Sequence, residues 1–285
     1  MNLLFIFTDQ QQRYALGCMG NPNVETPNLD QPAPEYAEMY QGREIIRRPN
    51  CQEIDPFTPT FSPRSPRPFE NDPDFQRYGN QLDEYIRLYN AMCTQIDANI
   101  GRLIATLERL GVADNTMIVF TSDHGDMQGS HGLKNKCLPH EESAGIPLII
   151  HVPGLPGGRV TEGLVSGIDL MPTCLELAGI EPVASVDGQS IAPYLRGETD
   201  TTCDAVFCEH GNWCMIVKDG WKLAAERQND TLQPTLMTHL DEDPYEMQNR
   251  VADSAVDGRK KELLIQLVAW DAGVRNVQGA TGKSA

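Results

Sequence analysis

The fold of this 285-residue chain is decided by the stretch Leu3-Leu4-Phe5-Ile6-Phe7-Thr8-Asp9-Gln10. Its five consecutive apolar residues are typical of a strand that is buried on both faces of a parallel sheet. Polar side chains follow at once, which places Asp9 and Gln10 at the carboxyl end of a central strand. In open α/β sheets, ligands bind at that end of the strands.

Predicted helices and strands alternate further along the chain. Apolar residues at helical spacing from Leu82 to Leu110 predict a long amphipathic helix that ends at Gly111. Met117 to Phe120 predicts a second buried strand, and Pro147 to Val152 predicts a third. A short helix follows from Ile168 to Ala178. This alternation indicates an α/β fold with a largely parallel sheet.

Two regions depart from that alternation. Eleven prolines lie between residues 21 and 74, where regular structure is hard to sustain. After about residue 200, short antiparallel strands and a closing helix are predicted over 205–208, 213–217, 221–224 and 263–268. We therefore expect an α/β domain over residues 1–200 and a small α+β subdomain over residues 201–285.

The chain is strongly acidic, with a formal net charge of −17. Such a charge argues against a general nucleic-acid or anionic-membrane surface, because either would repel this protein. No apolar run has the length of a membrane span, and no basic residues precede the first apolar run. The eight cysteines form no C-x-x-C pair, which favours reduced thiols. We therefore expect a cytoplasmic protein, and the oligomeric state is not indicated.

Two of the predicted strands end in an acid followed by a second potential ligand. These pairs are Asp9-Gln10 and Asp123-His124. If the two strands are neighbours, three oxygen ligands and one imidazole converge at the carboxyl edge of the sheet, a set that suits Ca²⁺, Mg²⁺ or Mn²⁺. A single Asp after a strand is more often a cap or turn residue, but the two pairs together favour a divalent-metal site.

A glycine-rich loop with lysines follows the second pair, from Gly129 to Lys136. Beside a bound cation, such a loop can hold an anion through its lysines. The same composition also fits a solvated surface loop. Spacing alone leaves both interpretations open.

Several segments, in this order along the chain, resemble the sulfatase family of the alkaline-phosphatase superfamily. The similarity is greatest to its bacterial arylsulfatase, choline-sulfatase and phosphonate-hydrolase members. It is carried by Phe5 to Gln11, Leu16 to Asn21, Thr26-Pro27-Asn28-Leu29-Asp30, Thr121-Ser122-Asp123-His124-Gly125-Asp126, Gly129 to Lys136, His140 to Ser143, Ile146 to Ile149 and His239 to Glu246.

The resemblance implies an alkaline-phosphatase-like α/β fold and a role for each residue that matches the family's motifs. Lys136 matches the lysine that contacts the sulfate oxygens. His131 and His140 fall in the same substrate-facing loop. The metal ligands of the family, with Ca²⁺ as the expected ion, match Asp9, Gln10, Asp123 and His124.

One part of the family's pattern is missing. Sulfatases carry C-x-P-x-R or S-x-P-x-R after the T-P-N-L-D segment, and its Cys or Ser becomes the formylglycine nucleophile. Here Asp30 is followed by Gln31 to Tyr40, which resembles a piece found much later in the family. Cys51, Ser62 and Ser65 do not restore the motif. The resemblance therefore implies an internal deletion after Asp30 that removes the nucleophile.

Three functions are consistent with these observations. The first is a hydrolase of small-molecule sulfate monoesters, impaired or inactive as this chain because the nucleophile is absent. The second is a phosphate or phosphonate monoester hydrolase of the same superfamily. The third is a non-catalytic remnant that binds a metal or an anion. None of the three requires a nucleic-acid or membrane partner.

Overall fold

The computed structural model describes residues 1–15, 36–51, 82–133, 135–181, 186–229 and 231–281. By their internal contacts these residues divide into two compact units. The N-terminal unit ends at Arg159 and the C-terminal unit continues from Val160. The predicted start of the C-terminal subdomain, at about residue 200, falls inside the second unit.

A three-stranded sheet forms the centre of the N-terminal unit. Strand β1 (Asn2–Thr8) pairs in parallel with β2 (Thr116–Ser122), with Asn2 opposite Thr116 and Thr8 opposite Ser122. Strand β3 (Leu148–His151) pairs with the other edge of β2 and runs antiparallel to it. The α/β class is confirmed, and the two strands that were predicted to carry the ligand pairs are neighbours.

The sheet is mixed because of the path that the chain takes between β2 and β3. This connection includes a four-residue helix, and it stays at the carboxyl ends of β1 and β2. There the Gly125 N–H donates to the carbonyl of Ser143 (2.8 Å), and the Arg13 N–H donates to the carbonyl of Gly145 (3.1 Å). Since β3 starts where β2 ends, it runs back antiparallel, whereas a parallel strand needs a crossover to the opposite end.

Helices α1 (Tyr36–Met39), α2 (Leu82–Arg109) and α3 (Glu141–Ala144) complete the N-terminal unit. The long helix α2 confirms the helix predicted from apolar spacing. Its last turn closes onto Gly111, whose φ of 67° is the left-handed conformation that favours glycine at a helix end. It covers one face of the sheet through a cluster made of Ile6, Ile96, Ile100, Ile104, Phe120 and Ile149.

The expectation that β1 is buried on both faces was wrong. Leu3, Phe5 and Phe7 are 50%, 44% and 60% exposed, whereas Ile6 on the opposite face packs in the cluster under α2. Within the described ranges, β2 is the strand that pairs with β1, so β1 forms an edge of this sheet. A run of apolar residues indicates that both faces of a strand can be buried, but each face is buried only if another element covers it.

The region rich in prolines is described over 36–51. Its residues pack onto α2: the hydroxyl of Tyr40 lies 2.7 Å from that of Thr94, and Ile45 packs against Leu82 and Ile86. The rest of the irregular stretch predicted over residues 21–74 lies outside the described residues.

In its described residues, the C-terminal unit contains two helices followed by a sheet and a final helix. Helix α4 (Leu170–Leu177) confirms the predicted short helix. An antiparallel sheet of four strands, arranged in the order of the chain, confirms the predicted strands of the tail and adds a fourth. The remaining elements are α5 (Ala192–Arg196), β4 (Val206–His210), β5 (Trp213–Lys218), β6 (Trp221–Gln228), β7 (Thr231–His239) and α6 (Asp257–Thr281).

Strand β7 was missed because Pro234 lies inside it. Proline cannot donate to a ladder of hydrogen bonds and is confined to edge strands and bulges. Both conditions hold here: β7 is an edge of its sheet, and the pairing shifts register at Ala224/Ala225, opposite Pro234.

The sheet of the C-terminal unit packs its inner face on α6. The buried apolar cluster is formed by Cys214, Ile216, Leu223, Ala225, Leu232, Met237, Val256, Leu263 and Leu267. A buried ion pair joins Lys222 Nζ to Glu246 Oε1 at 3.0 Å. Among the helices in the described ranges, none has the combination of length and apolar content that crossing a bilayer demands.

Candidate metal centre

The ends of β1 and β2 are tied together by side-chain and backbone hydrogen bonds. The Ser122 hydroxyl donates to the carbonyl of Thr8 (2.8 Å) and accepts from the N–H of Gln11 (3.0 Å). The N–H of Asp123 also donates to the carbonyl of Thr8, at 3.3 Å. The residues that follow the two strands are therefore held side by side, as parallel pairing of neighbours requires.

Three ionisable side chains meet at this edge of the sheet. Ligand atoms of Asp9, Asp123 and His124 all lie within 4.8 Å of one another. His124 Nε2 is 3.4 Å from Asp9 Oδ1 and 3.2 Å from Asp123 Oδ2. Two carboxylate oxygens and an imidazole nitrogen around one point are a donor set that a divalent cation can accept.

The two oxygens of Asp123 have separate tasks. Oδ1 accepts from the backbone N–H groups of Gln10 (3.0 Å) and His124 (2.8 Å), which leaves Oδ2 directed toward the His124 ring. Burial opposes ionisation of Asp123, but these hydrogen bonds and the neighbouring imidazole hold its pKa below the usual value. The carboxylate is thus fixed in position and ionised near neutral pH.

The His124 ring is oriented by its own loop. Its Nδ1 lies 2.9 Å from the carbonyl of Gly125, which can only accept a hydrogen bond. Nδ1 therefore donates this hydrogen bond, and Nε2 is the ring nitrogen that faces Asp9 and Asp123. A backbone or carboxylate acceptor behind the second ring nitrogen is the usual arrangement of metal-binding histidines.

Gln10 lies in the same turn, with a backbone φ of 65°. Its carbonyl oxygen accepts from the Tyr89 hydroxyl at 2.7 Å. In its side chain, Nε2 donates to Asp126 Oδ2, and Oε1 accepts from Lys136 Nζ at 3.2 Å. The structure therefore brings Gln10 and Lys136 together beside the three clustered side chains.

Asp126 is a participant that the sequence motifs did not single out. It is fully buried and accepts from the Tyr85 hydroxyl (2.9 Å), the Gln10 amide and the N–H of Gln128 (2.8 Å). Burial raises its pKa, while these donors and the charge of Lys136 act in the opposite direction. Its position directly after Asp123-His124-Gly125 is the signal in the sequence that could have identified it.

His131 and His140 form a separate buried group. Their rings are 4.5 Å apart, and His131 Nε2 lies 3.1 Å from Asn50 Nδ2. Asn50 also donates to Glu142 Oε1 (2.8 Å), which pairs with Arg48 Nη2 at 3.0 Å. Both histidines are at least 96% buried. Their substrate-facing role stays a prediction.

The thiol of Cys51 contacts the backbone of the glycine-rich loop. Its Sγ lies 3.7 Å from the carbonyl of Gln128, and Cys51 forms an isolated bridge with Ser130. Asp30, where the deletion is predicted, lies outside the described residues. Ser62 and Ser65, the two serines considered for the nucleophile motif, also lie outside them.

Comparison with protein families gives two matches. The Sulfatase family profile matches residues 32–180, and the profile described as N-sulphoglucosamine sulphohydrolase, C-terminal, matches residues 129–272. The first of these covers slightly more than half of the chain and includes Asp123, His124 and Lys136.

Similar proteins include enzymes from animals and bacteria. Arylsulfatase K of Xenopus laevis is 33% identical over 175 residues, which cover 56% of this chain and 32% of that protein. N-acetylglucosamine-6-O-sulfatase of Bacteroides thetaiotaomicron is 39% identical over 125 residues, covering 44% and 22%. The chain therefore spans about a third or less of the length of these relatives.

A solved structure with the same fold is the phosphonate monoester hydrolase from Silicibacter pomeroyi. It superposes with a TM-score of 0.67 and 26% sequence identity, over 86% of this chain and 54% of that one. The alkaline-phosphatase-like α/β fold expected from the sequence is confirmed by this similarity.

Proposed function

Because the chain belongs to the sulfatase family, we propose that its N-terminal unit carries the divalent-cation site of an ester hydrolase acting on sulfate monoesters. The observation that carries this proposal is the convergence of Asp9, Asp123 and His124 ligand atoms within 4.8 Å of one another. These residues come from two strand ends, Thr8 and Ser122, that are 114 positions apart along the chain, so their meeting is a product of the fold.

The donor set supports Asp9, Gln10, Asp123 and His124 as the ligands. Carboxylate and amide oxygens favour Ca²⁺, which we propose as the ion, with Mg²⁺ and Mn²⁺ as alternatives that the single imidazole leaves open. A bound cation would supply positive charge to stabilise the charge that develops on the oxygens of the ester group.

The protein's own residues would position the anionic group beside that charge. Lys136 Nζ donates one hydrogen bond to the side-chain oxygen Oε1 of Gln10 and would have two further hydrogens for sulfate oxygens. Hydrogen bonds from two backbone N–H groups keep Asp123 fixed during binding, so little reorganisation is needed.

The names of the relatives support a proposal for the substrate class. Their printed names describe an arylsulfatase and an N-acetylglucosamine-6-O-sulfatase. We therefore propose a small-molecule sulfate ester as the ligand of this site, carried by a phenol or a sugar hydroxyl.

The catalytic nucleophile is the part of the proposal that this sequence does not supply. Neither C-x-P-x-R nor S-x-P-x-R occurs in the 285 residues. The residues present therefore do not fit the formylglycine of the family, and no covalent step can be assigned to this chain. We propose that the chain binds cation and sulfate but has little or no turnover of its own.

A second candidate function is the hydrolysis of phosphonate monoesters. It is favoured by the similarity to the Silicibacter pomeroyi hydrolase, which covers 86% of this chain. A cation flanked by a lysine would bind phosphonate as readily as sulfate, because both present several anionic oxygens. A non-catalytic site for metal and anion is the third candidate.

Cation binding can be measured by titrating the purified chain with CaCl₂, and separately with MnCl₂, in a calorimeter. We predict saturable binding that Asp123→Asn weakens by more than about 100-fold. The negative charge is lost, and the two backbone N–H groups that donate to Oδ1 would hold the amide oxygen there, which leaves a nitrogen in the place of Oδ2. Asp83→Asn is the matched control, since Asp83 pairs with Arg47 at 2.6 Å and belongs to no part of the site. Absence of binding to the unaltered chain would contradict the proposal.

Turnover is tested with p-nitrophenyl sulfate and a p-nitrophenyl phosphonate ester in the presence of the bound cation. We predict rates far below the ordinary enzymatic range of about 1–1,000 per second for both esters. Turnover within that range would show that another group of this chain acts as nucleophile, and the preferred ester would decide between the two hydrolase functions.

A further inference from the structure

The orientation of the Gln10 amide decides whether Gln10 can bind a cation at all. The oxygen and nitrogen of a glutamine amide have nearly the same shape but opposite hydrogen-bonding character. A cation accepts only the oxygen as a ligand. Whatever fixes the rotation of this amide therefore fixes the composition of the site.

Two groups of opposite charge flank the amide. Asp126 Oδ2 accepts from Gln10 Nε2, and Lys136 Nζ donates to Gln10 Oε1 at 3.2 Å. An ionised carboxylate can only accept and an ammonium group can only donate. The reverse rotation of the amide would place donor against donor and acceptor against acceptor, so the two neighbours select one orientation.

Asp126 is held in place for this task by α2 and by its own loop. The hydroxyl of Tyr85 donates to the same oxygen, Oδ2, at 2.9 Å. The other oxygen, Oδ1, accepts from the N–H of Gln128 at 2.8 Å and so closes the turn that follows His124. The turn alone explains only Oδ1, whereas Oδ2 is directed at Gln10.

The hydroxyl of Tyr85 acts as a donor throughout the neutral range. Burial raises the pKa of Tyr85, and the charge of Asp126 raises it further. One helical turn later, Tyr89 donates to the backbone carbonyl of Gln10 at 2.7 Å. The same face of α2 thus fixes both the backbone of Gln10 and, through Asp126, its side chain.

We infer that Asp126, supported by Tyr85, is a positioning residue that orients the Gln10 amide so that its carbonyl oxygen serves as a ligand of the cation. This inference rests on the proposed cation site and adds the device that makes a glutamine a competent ligand there. It also assigns a function to a fully buried carboxylate, whose burial is costly unless its hydrogen bonds are satisfied.

The test combines calorimetric Ca²⁺ binding with the NMR signal of the Gln10 side-chain amide in ¹⁵N-labelled protein. We expect Asp126→Asn to weaken Ca²⁺ binding by about 10- to 100-fold and Tyr85→Phe by a smaller factor of about 3 to 10. Tyr85→Phe changes no charge, so its effect cannot come from long-range electrostatics. Both substitutions should shift the Gln10 amide signal, which is identified by its disappearance in Gln10→Glu.

Matched controls separate positioning from charge and from loss of a buried hydroxyl. Glu141→Gln removes one negative charge from the connection between β2 and β3, which also carries Asp126; Glu141 pairs there with Arg13 at 3.3 Å. Tyr40→Phe removes a buried hydroxyl that lies 2.7 Å from Thr94, away from the site. Both controls should stay within about twofold of the unaltered chain. The thermal unfolding of every variant shows that it is folded.

The outcomes distinguish this inference from the proposed function. Wild-type affinity in Asp126→Asn and Tyr85→Phe, with an unshifted amide signal, would overturn the inference while leaving the cation site intact. If the unaltered chain binds no cation, the proposed site fails. The amide signal then still decides whether Asp126 orients Gln10, since an unchanged signal in Asp126→Asn overturns that contact by itself.

Discussion

At the residue scale, the N-terminal unit contains both exposed and fully buried acidic side chains near the candidate metal centre. Asp9 is 79% exposed at its side chain, whereas Asp126 and Glu142 are at most 1% exposed. Buried carboxylates persist only when donors offset the cost of burial: Asp126 accepts three hydrogen bonds, and Oε1 of Glu142 accepts from Asn50 and pairs with Arg48. The exposed acids of the site are thus available for a ligand, and the buried ones shape the loop that carries it.

The stability of the N-terminal unit should depend on pH through Glu142. Burial alone would raise the pKa of Glu142, but the charge of Arg48 and the hydrogen bond from Asn50 hold it below the usual value. A carboxyl group whose pKa is lower in the folded state stabilises that state above its unfolded pKa, near 4.3. This contribution is lost as the pH falls through the lower, folded pKa.

We therefore predict that Glu142→Gln lowers the free energy of unfolding at pH 7 by about 1.5–3 kcal/mol. The difference from the unaltered chain should shrink as the pH falls below about 4. Urea unfolding at pH 7, 5, 4 and 3 measures it, with Glu108→Gln on the exposed surface of α2 as the control. A difference that grows on acidification would contradict the assignment.

At the element scale, β1 has one covered face and one bare face. Phe5 and Phe7 stack with ring centroids 6.1 Å apart on the bare face. On the covered face, Ile6 packs with Ile100, which is 3% exposed. The stability of the sheet should therefore depend on substitutions on one side of the strand and not on the other.

We predict that Phe7→Thr changes the free energy of unfolding by less than about 1 kcal/mol, since threonine keeps the β propensity and little burial is lost. Ile100→Ala should cost about 2–5 kcal/mol because it opens a cavity under the sheet. Urea unfolding of both variants tests the contrast. A loss for Phe7→Thr as large as for Ile100→Ala would mean that another element covers this face in solution.

At the scale of the whole molecule, the chain has an excess of acids over bases, with 40 acidic and 23 basic side chains. We therefore expect mutual repulsion to oppose the folded state more than ion pairs favour it. Added salt screens this repulsion over distances of about 10 Å at 0.1 M.

We predict that raising NaCl from 20 mM to 300 mM increases the midpoint of thermal unfolding by about 2–5 °C. Differential scanning calorimetry of the unaltered chain measures it. Millimolar CaCl₂ at constant ionic strength should raise the midpoint further, and Asp123→Asn should abolish only this second increase. A midpoint that falls with NaCl would show that exposed ion pairs outweigh the repulsion.

The sequence by itself determined the α/β class, the helix α2 with its end at Gly111, and the positions of the two pairs of predicted ligands directly after β1 and β2. These features depend on short-range patterns: an apolar run, a helical repeat, a glycine in a left-handed turn, and polar residues directly after a strand. The family motifs added Lys136, which the structure places 3.2 Å from Gln10 Oε1.

Only the tertiary structure decided which faces of these elements are buried, how the strands pair and how the side chains are oriented. The bare face of β1, the antiparallel course of β3 and the strand β7 with its internal Pro234 all depend on what packs against each segment from elsewhere in the chain. The contact of Tyr85 and Asp126 with Gln10 joins three distant parts of the chain. The local spacing of residues does not predict these contacts. Their free energy depends on burial and on neighbouring charges, and both arise only after the chain has folded.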